Sequence, residues 1–264
     1  MEMFLYGFMR QAFQASFLIS LIAPIIGLFL ILRRQTLLAD TLSHVSLVGV
    51  ALGLLLGVAP TWTNLVVVVV ASVLLEYISS IFKSYTEISI AIMMSGGMAL
   101  ALFLMSLSDG TTMSLNSFLF GSIVTISAEQ VRFLLFITVI VALLYLIFKR
   151  PMYVLTFDEE TAFTAGLPVR FMSIAFNIIT GLTIAVVMPI VGALLVSAIL
   201  ILPAAISMRF SKSFNHVIVI GIIVALVGMF GGLIASYYLG TPPGATITLI
   251  YIILFSLSLV GNRK

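Results

Sequence analysis

The sequence predicts an all-α polytopic membrane protein, and its composition, its apolar runs and its basic residues each support this class. Hydrophobic residues make up 62% of the 264 residues, whereas charged residues make up only 8%. A water-soluble domain of this length needs many more charged residues to cover its surface. We therefore expect one transmembrane domain over residues 1–264, with nearly the whole chain in or against the bilayer.

About nine transmembrane helices are expected, because nine apolar runs are long enough to cross about 30 Å of hydrocarbon. The runs fall at 13–32, 37–57, 63–82, 88–107, 129–148, 171–188, 190–208, 215–238 and 245–261. Lys149-Arg150-Pro151 marks one of the clearer breaks, and Pro189 marks the weakest. Residues 171–208 are therefore either two tightly joined helices or one bent helix with a re-entrant part. No basic segment with a cleavage site precedes the first run, so we expect that run to be retained.

The basic residues predict the orientation of the chain, because cytoplasmic loops of membrane proteins are enriched in Lys and Arg. With the N-terminus outside, ten of the 12 basic residues face the cytoplasm: Arg33, Arg34, Lys83, Lys149, Arg150, Arg170, Arg209, Lys212, Arg263 and Lys264. Arg10 and Arg132 stay outside. We therefore expect a multi-pass membrane protein with a cytoplasmic C-terminus.

The second run contains the main candidate for a metal site. Asp40 and His44 lie four residues apart, so a helix places both side chains on one face. Carboxylate oxygen and imidazole nitrogen suit divalent transition metals, and ionisable groups inside a span typically mark an ion pathway. Gly49, Gly53 and Gly57 lie roughly opposite His44 and would let another helix approach closely. The alternative is that the pair is a capping group and a satisfied polar residue.

Two other ionisable residues are less decisive. Glu76 lies deep in the third run and is a second candidate for the ion path. It could equally pair with a Ser or Tyr of a neighbouring helix. The chain has only one His besides His44, and this residue, His216, follows Lys212 near the end of a run. We interpret His216 as an interfacial residue.

Two connecting segments exceed a simple turn. The outer one, 108–128, mixes turn residues with aromatic residues, which favours a short interfacial segment. The inner one, about 150–170, is the most hydrophilic part of the chain. Within it, Thr156 and Glu159 have capping-box spacing, so we expect Thr156 to start a short helix whose first turn is acidic. Gly166 can end this helix. The helix is either a docking element for a partner or an ordinary solvated connector.

Several absent motifs narrow the function. The chain has no Cys, which excludes disulfides and thiolate metal ligands. It has no P-loop, so it does not bind nucleotide phosphates in that way, and it lacks the His-Glu-x-x-His and Gly-x-Ser-x-Gly patterns. Ser43 and His44 point about 100° apart on a helix, which is poor geometry for a catalytic pair. We expect no enzyme activity in this chain, no permanently bound cofactor and no nucleic-acid partner.

Three segments resemble the permease subunits of zinc/manganese/iron ABC importers, and together they extend the likeness over nearly the whole chain. They are LLADTLSH at 37–44, FDEETAFTAGLP at 157–168, and VGALLVS followed by LPAA within 191–205. Their order along the chain also fits that family. The stretch 120–124 resembles zinc permeases more than manganese permeases.

The resemblance implies a helical fold related to the vitamin B12 importer permeases, and it implies partners. Such permeases form homodimers in the lipid of the bacterial plasma membrane. Two cytoplasmic ATPase subunits drive them, and an extracellular metal-binding protein delivers the ion. Asp40 and His44 match the family's metal-coordinating acid and His. The segment 157–166 matches the coupling helix that contacts the ATPase, with its residues Asp158, Glu159, Glu160, Thr161, Ala162 and Gly166.

The resulting hypothesis is a permease subunit of an ATP-driven importer of Zn²⁺, with Mn²⁺ or Fe²⁺ as alternative cargo. The rival is an autonomous proton- or cation-coupled carrier in which Asp40, His44 and Glu76 relay protons. Such carriers often have two related halves, and no clear internal repeat is visible in the sequence. An intramembrane hydrolase has little support from the residues.

Overall fold

The structure, a computed structural model, describes residues 6–81, 86–107, 115–122, 126–157, 159–211 and 213–261. Its helices are α1 (Gly7–Leu32), α2 (Thr36–Leu56), α3 (Pro60–Ile81), α4 (Thr86–Leu107), α5 (Leu115–Phe120), α6 (Ala128–Phe157), α7 (Glu159–Thr164), α8 (Val169–Val191), α9 (Val196–Phe210), α10 (Phe214–Leu239) and α11 (Pro243–Gly261). Seven helices are long and apolar enough to cross a membrane, and α9 and α11 are shorter apolar helices. No strand occurs in the described ranges. The predicted all-α polytopic class is confirmed.

The nine apolar runs correspond to nine separate helices, but the break expected at Pro189 lies further along the chain. Pro189 is inside α8, and the helix ends after Val191. Gly192 then takes a φ of +102°, a conformation that favours glycine. Because the turn from Gly192 to Leu195 separates α8 from α9, residues 171–208 form two joined helices rather than one bent helix.

The break predicted at Lys149-Arg150-Pro151 is wrong, and so is the predicted cap at Thr156. The α6 helix runs for 30 residues through Pro151 to Phe157. Proline removes one backbone donor, and a membrane helix tolerates this loss when other groups satisfy the freed carbonyl oxygen. The Thr156 hydroxyl donates to the carbonyl oxygen of Met152 at 2.6 Å, inside the last turns of α6. It therefore caps nothing, and the next helix begins at Glu159.

The outer segment contains the short helix α5, as its aromatic composition predicts. The backbone carbonyls of Phe118 and Leu119 accept hydrogen bonds from the N–H groups of Ala193 and Leu194, at 2.8 and 3.2 Å. Gly121, at a φ of +75°, sits so close to the end of α8 that a Cβ atom would overlap the backbone of Val191. The α5 segment is thus fixed to the α8–α9 turn. Residues 108–114 and 123–125 lie outside the described part.

Two groups of helices form the domain. In one group α2 packs chiefly against α3 and α4, and α3 also packs against α8. In the other group α1 packs against α9, α10 and α6, and α11 packs against α10 and α9. Among the seven long apolar helices, α1 is the most enclosed, because 78% of its most apolar stretch is buried. In α4 and in α6 only 22% of the corresponding stretch is buried. The candidate metal ligands on α2 belong to the first group, and α7 lies beside α6 and α8.

Candidate metal pathway and coupling helix

The α2 helix carries both candidate ligands, and its own backbone satisfies the polar residues beside them. The chain reverses after α1, where Arg34 takes a positive φ of 57°. Thr41 then donates a hydrogen bond to the carbonyl oxygen of Leu37 at 3.0 Å. Ser43 donates to the carbonyl oxygen of Ala39 at 2.8 Å. Because these hydroxyls bond one turn back, a polar stretch can be buried as a helix without other partners.

The predicted glycine face of α2 is a close contact with α3. A Cβ atom added to Gly49 would overlap Asn64, with the backbone nitrogen only 3.0 Å away. One added to Gly53 would lie 2.7 Å from the Cα atom of Pro60. Gly57 differs, because it ends the helix at a φ of +66° with open space around it. Two of the three glycines therefore form the contact that the sequence predicts.

Asp40 and His44 lie on the side of α2 that faces away from the glycine contact, since each residue turns the helix by about 100°. Asp40 is half-buried, and His44 is only 9% exposed. The Nδ1 atom of His44 is buried and makes no hydrogen bond within the described part of the chain. A buried polar atom without a partner is unusual in a folded protein. The imidazole thus has a nitrogen that makes no hydrogen bond within the described residues.

The described residues of one chain do not complete a metal site. Among the described residues, no group of three or more His, Cys, Asp or Glu side chains could hold a metal ion. Two ligands fall short of the four that a structural zinc site has and of the three protein ligands of a catalytic one. A site built on Asp40 and His44 therefore needs ligands from water or from another chain.

The structure gives Glu76 a partner on another helix. Its Oε2 atom accepts a hydrogen bond of 2.7 Å from the side-chain amide of Asn177, which is fully buried on α8. The partner is thus an Asn rather than the Ser or Tyr that the sequence suggests. Glu76 lies on the α3–α8 side of the domain, whereas Asp40 and His44 face away from α3. The structure does not bring these three residues together as one cluster.

A second polar bridge joins α2, α3 and α8, and sequence reasoning missed it. The Ser46 hydroxyl donates to the Oδ1 atom of Asn64 at 2.7 Å, and the Asn64 amide donates to the carbonyl oxygen of Ala185 at 3.0 Å. Asn64 is 1% exposed. The available signal was an Asn within an apolar span, since buried amides commonly bridge helices in membranes. This bridge fixes α2 relative to α3 and α8.

The α7 helix has the end that the sequence predicts. The N–H of Gly166 bonds to the carbonyl oxygen of Phe163 at 3.0 Å, and the N–H of Leu167 bonds to that of Ala162 at 3.1 Å. With Gly166 at a φ of +77°, this is a Schellman motif. Ala162 is fully buried, so it is the residue through which α7 packs on the domain.

The face of α7 that points away from the rest of the domain is exposed. Glu160 is exposed, and Phe163 is 73% exposed, an unusual state for a large aromatic side chain on a short helix. Thr161 is exposed as well. Asp158 lies outside the described residues. The sequence-based reasoning did not single out Phe163, although an aromatic residue between polar ones on a capped helix was the visible signal. Of the exposed side chains on this face, the aromatic ring of Phe163 is of a type that is enriched at protein–protein interfaces.

Comparisons with known proteins agree with these features. A relative from Treponema pallidum, named as a probable metal transport system membrane protein, is 32% identical and covers 96% of this chain and 94% of its own. The zinc uptake membrane protein ZnuB of Haemophilus influenzae is 28% identical over 98% of this chain and 100% of its own. The manganese transport membrane protein MntC of Halalkalibacterium halodurans is 27% identical over 98% and 89%. Identity alone therefore does not separate the metals.

A solved structure has the same fold. PsaBC from Streptococcus pneumoniae, in complex with Fab, superposes with a TM-score of 0.85 at 26% identity, over 96% of this chain and 91% of that one. The sequence profile of the ABC 3 transport family matches residues 5–262, nearly the entire chain. This polytopic helical chain therefore belongs to the ABC 3 transport family, the permeases of metal-transport systems.

Proposed function

We propose that this chain is the membrane-spanning subunit of an ATP-driven importer of divalent metal ions, with zinc as its cargo. The observation that carries the proposal is the buried, unpartnered Nδ1 atom of His44, one turn from Asp40 on a helix of the membrane domain. Relatives named for zinc and for manganese transport support a metal cargo. Mn²⁺ and Fe²⁺ are the alternatives to zinc, and all three ions accept nitrogen and oxygen ligands.

The translocation site is proposed to form between two copies of the chain. Each copy supplies Asp40 and His44, so that four ligands meet near the two-fold axis, the number that zinc prefers. This arrangement accounts for the absence of a third ligand among the described residues of one chain. Water can replace a ligand when the ion leaves.

The energy for transport is proposed to come from two separate ATPase subunits, because the sequence contains no P-loop. The exposed face of α7, with Glu160 and Phe163, supports a docking role for this helix. An extracellular metal-binding protein would deliver the ion at the other end of the domain. In the orientation that the basic residues favour, the N-terminus is outside and α7 is cytoplasmic.

The test is metal uptake into vesicles that contain the assembled transporter. His44→Ala and Asp40→Ala should each lower zinc uptake by at least about tenfold, because even residues that only orient a metal ligand contribute about 10–100-fold. The double variant should be little worse, since ligands of one site act as a unit. His216→Ala is the matched control, because the other His of the chain is exposed near the start of α10.

Measuring zinc, manganese and iron in parallel identifies the cargo. A larger uptake of manganese or iron than of zinc would replace zinc in the proposal and leave the site unchanged. Normal uptake of all three metals by both single variants would contradict the site, and the pair would then be a helix-packing feature.

A further inference from the structure

An apolar pocket opens between α1, α6 and α8, away from the face of α2 that carries Asp40 and His44. Its volume is about 330 Å³. Its walls include Ile26, Phe29, Val141, Met152, Phe176 and Ile179. Among the described residues that line the pocket, Lys149 alone has a charged side chain. The pocket therefore has an amphiphilic character, with an apolar interior and one cation.

The position of Lys149 along α6 indicates how deep the pocket lies in the membrane. A helix rises 1.5 Å per residue, so Lys149 is about 30 Å from Ala128, where α6 begins. This length equals the hydrocarbon thickness of a typical bilayer. We place Ala128 at one surface of the bilayer, so Lys149 lies at the level of the lipid headgroups on the other. Val141, which also lines the pocket, is about 12 Å deeper, so the cavity extends from the headgroup level into the hydrocarbon.

Other cations lie near the same end of the pocket. The Arg33 guanidinium is 5.2 Å from the ring centroid of Phe176, a wall residue, and it donates a hydrogen bond to the Ser173 hydroxyl at 2.8 Å. Arg150 follows Lys149 in sequence, Arg170 precedes the wall residue Phe171, and both are exposed. Basic residues are thus concentrated at the Lys149 end of the pocket, whereas its walls are apolar.

The interior does not suit a polar ligand. Tyr145 is the one wall residue besides Lys149 with a polar side-chain group, and its hydroxyl donates to the Oδ1 atom of Asn215 at 3.1 Å. This hydrogen bond connects α6 to α10 and leaves the described walls of the pocket to apolar contact. Such an interior fits a hydrocarbon chain, and a cationic mouth fits a phosphate at the same depth.

We propose that this pocket binds one acyl chain of an anionic phospholipid whose phosphate contacts Lys149. The volume of about 330 Å³ is at the lower end of the range of about 300–1,000 Å³ for drug-sized ligands, so the pocket has room for one acyl chain but not for a phospholipid with two. The second acyl chain then remains in the bilayer beside α6, which is largely exposed. The lipid joins α1, α6 and α8 on the side from which α7 projects, and its binding does not depend on the transported metal.

The test is native mass spectrometry of the protein, purified with any subunits that accompany it, after exposure to phosphatidylglycerol or to phosphatidylcholine with the same acyl chains. The wild type should retain phosphatidylglycerol in preference to phosphatidylcholine. Lys149→Gln should lower this preference about fivefold, the effect expected of one basic residue near anionic lipid. Ala175→Phe, which places a ring in the pocket, should lower the retention of both lipids.

Two controls match these variants. Arg132→Gln removes one positive charge at the opposite end of α6, and Val139→Phe adds a similar ring on an exposed position of the same helix. Both should retain lipid as the wild type does. Equal retention of the two lipids by the wild type, or wild-type retention by Ala175→Phe, would overturn the proposal.

The chain has no natural Cys, so Ala175→Cys also reports on a second copy. A disulfide-linked dimer through this position would assign the pocket to that copy and overturn lipid binding.

Discussion

The contact between α2 and α3 predicts a measurable loss of stability in Gly49→Ala. The added methyl group would overlap the backbone of Asn64, so the two helices would have to separate. Overpacking of this kind typically costs about 1–3 kcal/mol. Separation also weakens the hydrogen bonds of Asn64 to Ser46 and Ala185, each worth about 0.6 kcal/mol in a membrane. Ala is more stable than Gly inside a helix by about 0.5–1 kcal/mol. The net loss in the free energy of unfolding is therefore about 2 kcal/mol.

The assay for this prediction is thermal unfolding of the detergent-solubilised protein. The fraction of protein that stays monodisperse is measured at each temperature. The matched control is Gly231→Ala in α10, where the nearest atom to an added Cβ is the end of the Ile250 side chain at 4.0 Å. This control should be as stable as the wild type or slightly more stable, because only the helix preference changes. If Gly49→Ala unfolded at the same temperature as Gly231→Ala, the close approach of α2 and α3 would be wrong.

Two further predictions concern coupling and orientation. Replacing Asp158, Glu159 and Glu160 with Lys should release the ATPase during co-purification and leave the membrane fold intact, whereas Glu129→Lys at the opposite end of α6 should not. Retention of the ATPase with normal uptake would contradict the docking role of α7. A reporter fused after Lys264 should be active only in the cytoplasm and a tag at Met1 should be accessible from outside, as the distribution of basic residues predicts. Termini on the same side would contradict this orientation.

The sequence predicts the fold class and the number of apolar helices well, because hydrocarbon thickness imposes a strong length requirement. It predicts helix ends less well where proline is involved. Pro151 and Pro189 both lie inside helices, since a membrane helix tolerates proline when water, side chains or neighbouring helices satisfy the freed carbonyl. The α8 helix ends at Gly192, which has a positive φ and which α5, distant in sequence, approaches too closely for a Cβ atom.

The candidate site is predictable only in part, for a related reason. The spacing of Asp40 and His44 predicts, without any knowledge of the fold, that the two residues share one face of a helix. The spacing of the glycines predicts in the same way that they share the opposite face. The partner of Glu76 is different, because Asn177 lies 101 residues away. No local pattern links these two positions. Asn64 likewise joins two helices through contacts 18 and 121 residues distant, and only the folded chain reveals its role.

The two proposed ligands on α2, Asp40 and His44, suit a transporter better than a resident metal site. A closed site of four protein ligands holds zinc so tightly that the metal becomes part of the folded protein. Within the proposed dimer, each copy contributes only Asp40 and His44, so any movement of one copy relative to the other divides the ligands between two surfaces. The affinity of such a site depends on how the copies are arranged, and in the proposed importer an ATPase docked at α7 would change that arrangement. Binding and release then follow from the same four side chains, without a separate gate at the ion.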